Sequence, residues 1–139
     1  MTRGAVLRFA LAGSAAALTL GAAQQPPALS SLKAGMWELD GLPGAKAPSR
    51  ECIADVQALA RLEHRAGKCT SHVISDDGAT TVVEYSCGGA GFGRSKIDVI
   101  TPRSLKINTQ GISDGVPFNY VLRAHRLDDC PTHATASRH

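Results

Sequence analysis

Four cysteines, a glycine run, five histidines and two pairs of adjacent aspartates are the residues here whose types and spacing could do chemistry. Cys52, Cys69, Cys87 and Cys130 lie 17, 18 and 43 residues apart. Structural zinc takes paired ligands two to four residues apart, so this spacing does not describe a metal site. The short Cys130-Pro-Thr-His133 pair sits in a polar tail, and no Cys-x-x-Cys redox motif occurs. An even cysteine count in a small exported chain predicts two disulfides. Cys52–Cys69 with Cys87–Cys130 is the favoured pairing, worth ~3 and ~4 kcal/mol by loop-closure entropy. Cys69–Cys87 across a hairpin, with Cys52–Cys130, is the alternative, because one residue of turn length decides whether 69 and 87 face each other.

The run Gly88-Gly-Ala-Gly-Phe-Gly93 invites comparison with phosphate-binding loops. Such loops need a following helix N-terminus, whereas Arg94 to Ile100 reads as strand, so a flexible hairpin connection is expected. His64, His72 and His125 fall on a helix or strands without a recognisable nucleophile, and no Gly-x-Ser-x-Gly is present. Asp76-Asp77 and Asp128-Asp129 suit turns and strand ends, where their side chains bond locally. No catalytic residue, metal ligand or cofactor is therefore assigned. The most individual stretch, Gln110 to Phe118, reads as a long turn. Gln110, Gly111, Asp114, Gly115, Pro117 and Phe118, with Arg123, are its candidate binding-loop residues, beside Arg103 and Arg126.

The elements that would position these groups follow from periodicity. Gly35 to Asp40 alternates, with Trp37 and Leu39 inward. Gly41 to Ser49 is a Gly/Pro-rich loop. Asp55 can cap a helix through His64 that buries Val56, Leu59 and Ala60. Beyond Cys69 the period becomes two. Cys69–Ser75 and Thr80–Cys87 flank the turn signal Asp76-Asp77-Gly78-Ala79. Val99 is placed opposite Leu105 around Thr101-Pro102-Arg103, and a last strand runs from about Phe118 to Leu127. Six strands and one short helix predict an α+β domain, mainly antiparallel β, built as a twisted sheet or partly open barrel. Trp37, Tyr85, Phe92, Phe118 and Tyr120 are expected in its core.

Composition bounds the partners. The chain has 139 residues, 43% hydrophobic and 19% charged, with a formal charge of +3. That is one domain's length, too apolar for disorder and too weakly basic to imply nucleic acid. Residues 1–23 read as a signal peptide, with Arg3 and Arg8, an apolar run from Phe9 to Leu20, and Gly21-Ala22-Ala23 for cleavage. The run is shorter than the ~20 apolar residues that span a bilayer, so no integral membrane segment is expected in the mature chain. Losing Arg3 and Arg8 leaves that chain nearly neutral. The expected layout is a flexible lead-in at 24–32, a single β-rich domain at 33–131 and a disordered tail at 132–139. The periplasm is the expected destination.

The order Gly35-x-Trp37-Glu38, Cys52 before a short helix, Cys69, Cys87 closing a strand and Cys130 closing the last strand resembles the bacterial domain of unknown function 3617 family. Thr101-Pro102-Arg103, Gln110-Gly111 and Gly115-x-Pro117-Phe118 are similar to a subgroup. Members often carry Gly just before the last cysteine, where this chain has Asp129. The resemblance implies an exported, disulfide-stabilised sheet domain and carries no catalytic or ligand-binding residues with it. The resulting expectation is a non-catalytic binding or envelope-accessory domain with an envelope protein as partner. A carrier of a small apolar ligand in a lipocalin-like cavity and an inhibitor of an exported hydrolase are the alternatives.

Overall fold

A computed structural model describes residues 25–132. The expected signal peptide and the tail from residue 133 lie outside the described residues. Seven strands form one antiparallel sheet: β1 (Gly35–Asp40), β2 (Ser49–Ile53), β3 (Thr70–Asp76), β4 (Thr80–Ser86), β5 (Gly91–Thr101), β6 (Ser104–Ser113) and β7 (Val116–Asp128). Their order is β2-β1-β7-β6-β5-β4-β3, and the sheet does not close, because β2 and β3 remain edges.

Alternation sorts the faces. Val83, Tyr85, Ser95, Ile97, Leu105, Ile107, Thr109, Leu122 and Ala124 turn inward and are buried, and their sequence neighbours turn out. The helical segment Val56–His64 covers the inner face, contributing Val56, Leu59, Ala60 and Leu62 to one core with Trp37 and Leu39. The Asp55 side chain caps it, accepting from the Gln57 N–H at 2.9 Å. The segment is 3₁₀ in character and breaks at Arg61, where φ is −136°. A 3₁₀ turn tolerates few residues before its geometry fails, which accounts for a kink rather than one straight helix.

In the fold, four features differ from those expected. The disulfides are Cys52–Cys130 and Cys69–Cys87, with Cα atoms 5.5 and 4.1 Å apart, not the favoured pairs. Cys69 and Cys87 continue the β3–β4 ladder one step beyond the Thr70–Ser86 pair, so the hairpin itself brings them together. Cys52 pairs with Met36, which pairs in turn with Asp128, so β1 carries β2 to the end of β7 beside Cys130.

β2 is a seventh strand, beginning at the last residue of the loop expected over Gly41 to Ser49; only Ile53 of its five residues is buried, too little for an apolar period to show. The lead-in is ordered from Gln25. Leu29 and Leu32 sit in the core, and the Ala28 N–H donates to the Asp76 carboxylate at 3.2 Å. Burying a leucine is worth about 1.5–3 kcal/mol, enough to hold a short polar stretch down. Finally, Phe92 is 56% exposed rather than in the core, because it faces outward on β5.

Other expectations hold. Asp76, Asp77 and Gly78 make the β3–β4 turn, with Gly78 at φ +88° and the Asp77 carboxylate accepting from the Ala79 and Thr80 N–H groups at 2.9 and 2.7 Å. These bonds hold the Asp77 carboxyl below its usual range. Val99 stands opposite Leu105. Two disulfides are the mark of a chain that matures in an oxidising compartment. Among the described residues no helix is long and apolar enough to cross a membrane.

Candidate functional site

A groove of about 800 Å³ lies on the outer face of the sheet, crossing β3 to β7. Register builds it. One wall is a row of paired residues, His72–Glu84–Arg94–Gln110–Asn119, each on the next strand. The opposite wall is the row Thr70–Ser86–Phe92–Ile112. Two residues along each strand separate the walls, so both point outward. Between them lies the row Tyr85–Gly93–Gly111–Phe118, which supplies the floor.

Behind the floor, its two glycines leave no room for a Cβ on the core side. A Cβ on Gly93 would meet the Tyr85 ring and hydroxyl, and one on Gly111 would meet the Phe92 carbonyl oxygen and the Gly93 Cα. On the core side the Tyr85 and Phe118 rings occupy the space that side chains at 93 and 111 would have taken. His64 packs edge-on to Tyr85 at 5.5 Å and tilted to Phe118 at 6.2 Å. Its Nε2 donates to the Ala90 carbonyl at 3.0 Å, tying the helical segment to the glycine run. Beside the rings, the Ser95 hydroxyl bonds the Ala60 carbonyl at 2.6 Å and the Thr109 hydroxyl at 2.8 Å. Burial raises the Tyr85 phenol above its usual pKa, and it raises Tyr120 further, with the Glu63 carboxylate adding to the effect.

Electrostatically the groove is self-matched. Glu84 accepts from the Arg94 Nε at 2.8 Å and pairs with the His72 Nε2 at 3.4 Å on its other side. The Arg94 guanidinium holds the Glu84 carboxyl below the usual carboxylate range. A carboxylate kept ionised and shared in this way is a poor proton donor. The amides of Gln110 and Asn119 extend the wall, and no side-chain hydrogen bond among the described residues engages either. Among the described residues no three His, Cys, Asp or Glu side chains cluster as metal ligands.

The structure divides the candidate binding loop. Gln110, Gly111 and Phe118 line the groove. Asp114 and Gly115 instead form a two-residue turn, with φ of +48° and +79°, and Pro117 pairs with Ile112 just outside. The long turn is thus a tight hairpin whose flanks are strand. Arg123 pairs with Lys106, four residues along β7 from Asn119 and so about 13 Å away. Arg103 and Arg126 donate to backbone carbonyls of Leu127 and Ala34 and serve the fold there. Sequence reasoning missed His72, Glu84, Phe92, Arg94 and Asn119. Phe92 was expected in the core, and for the others only the register of five strands aligns their outward side chains in one wall.

No family model matches the chain, and no curated protein matches it. The resemblance read from Gly35-x-Trp37-Glu38 and the four cysteines rests on those residues alone.

Proposed function

We propose that the protein is an exported, periplasmic, non-catalytic binding module of the cell envelope, and that the outer-face groove is its binding site. The signal-like residues 1–23, the two disulfides and the resemblance to the domain of unknown function 3617 family support export. The observation that carries the binding reading is the groove itself, a preformed concavity of about 800 Å³ walled by residues of five strands. That volume is in the range of small-molecule sites. The rigid floor means little ordering cost on binding. Paired Glu84 and His72 favour recognition over acid–base chemistry.

The lipocalin-like carrier reading draws less support. The inner face where an apolar ligand would sit is filled by Leu59, Ala60 and Leu62 of the helical segment and by Leu29. Amide chemical-shift mapping against soluble envelope components (glycans, peptides and short-chain lipids) tests the proposal. The expected shifts cluster on Phe92, Arg94, Gln110 and Asn119. Shifts confined to other residues, or a substrate turnover that Glu84→Gln abolishes, would overturn it.

A further inference from the structure

We propose that the groove binds a short, neutral, linear oligosaccharide, lying across the strands between the two walls. The inference rests on the groove being the binding site and adds the chemical class of its occupant.

Four observations point to this class. First, the groove offers no unmatched charge, since Glu84 is shared between Arg94 and His72. A charged ligand would find no free counter-ion there, whereas hydroxyl groups need only donors and acceptors. Second, the His72–Asn119 wall supplies those in a regular series. An imidazole, a carboxylate, a guanidinium and two amides stand on successive strands, ~4.8 Å apart, over ~19 Å in all. Each amide carries a donor and an acceptor side by side, the arrangement that neighbouring hydroxyls satisfy. Third, the facing wall presents the exposed ring of Phe92 beside Ile112. A sugar ring is similarly two-sided, with C–H bonds that pack on an aromatic face and hydroxyls around its edge. Fourth, the floor is the middle of a fully paired sheet, β4 to β7, whose backbone N–H and C=O groups are committed to the ladder. An extended peptide binds sheets through free backbone groups at an edge, and this floor offers none.

The test titrates the isotope-labelled protein, purified after export, with cellotetraose and chitotetraose as neutral probes. A tetramer of uronic acid, an uncharged tetrapeptide and a short-chain lipid serve as comparisons. The neutral tetramers are expected to shift the amides of Phe92, Gly93, Arg94 and Gly111. Phe92→Ala, at an exposed position the fold does not need, is expected to weaken binding roughly fivefold to tenfold. Val121→Ala, exposed on the same face outside the groove, leaves binding unchanged. Groove shifts with the peptide, lipid or uronate but with neither neutral tetramer would overturn the ligand class and keep the groove as the site. No groove shift with any probe would overturn both. Equal affinity of the Phe92→Ala variant would remove the stacked pose and the proposal with it.

Discussion

Gly93 and Gly111 stand opposite each other across β5 and β6, and neither has room for a side chain. Each lies between an aromatic residue and its glycine partner, so the row reads Tyr85, Gly93, Gly111, Phe118 across four strands. Neither glycine has a positive φ, so space and not backbone conformation excludes a Cβ. The groove floor is bare because the side chains of this row turn inward, and the two missing side chains make room for the rings on the core side.

Gly111→Ala is therefore expected to cost about 1–3 kcal/mol, because its Cβ meets neighbouring-strand backbone that cannot move aside. Gly93→Ala should cost less if the Tyr85 ring can shift. Gly89→Ala, with nothing within 4 Å of its Cβ, is expected to stay within about 0.5 kcal/mol of the parent. Urea midpoints of the three variants check the ranking, and an unchanged Gly111→Ala would refute the packing account.

The disulfides differ in the chain they close. Removing Cys52–Cys130, which spans 78 residues, is expected to cost about 4.5 kcal/mol, and removing Cys69–Cys87, which spans 18, about 3 kcal/mol. Paired Cys→Ser variants compared in denaturant give the difference. Non-reducing peptide mapping checks the connectivity, and a Cys52–Cys69 peptide would contradict it.

Leu29 tests whether the N-terminal segment belongs to the core. Leu29→Ala removes a fully buried side chain and is expected to destabilise by about 2–5 kcal/mol. A loss below about 0.5 kcal/mol, measured by thermal or urea unfolding, would mean the segment is an ornament on the fold.

The two tyrosines of the chain, Tyr85 and Tyr120, both have raised pKa values, burial being the first cause. A raised folded pKa favours the protonated form in the native state. The associated stability is fully present below the ordinary value of 10.0 and is lost as pH rises beyond it. The tyrosine absorbance titration of the folded protein is therefore expected to be displaced above pH 10. Ionisation of either phenol near pH 10 in a folded protein would contradict this. Glu84 and Asp77 act oppositely: their depressed values give stability that is lost as pH falls below 4.5 and 3.8.

Much of the fold was legible because local rules govern it. Thr81, Val83 and Tyr85 alternate with Val82 and Glu84 strictly enough to give strand and face together. Asp76-Asp77-Gly78 supplied both the side-chain acceptors and the positive φ that its turn needs. β2 escaped notice because its pairing to β1 and the Cys52–Cys130 bond hold it, not an apolar period. The site was legible only at Gln110, Gly111 and Phe118, which the unusual composition of that stretch singled out.

The sequence by itself determined that four cysteines would be oxidised in pairs, which residues of β1, β4, β6 and β7 share a face, and where the β3–β4 chain reverses. All of these depend on residue type and on neighbours within a few positions. Only the tertiary structure decided which cysteines meet, that the chain from Gln25 joins the core, and that His72, Glu84, Arg94, Gln110 and Asn119 form one wall. Those facts depend on register between strands far apart in sequence, where a slip of one residue turns every side chain to the opposite face.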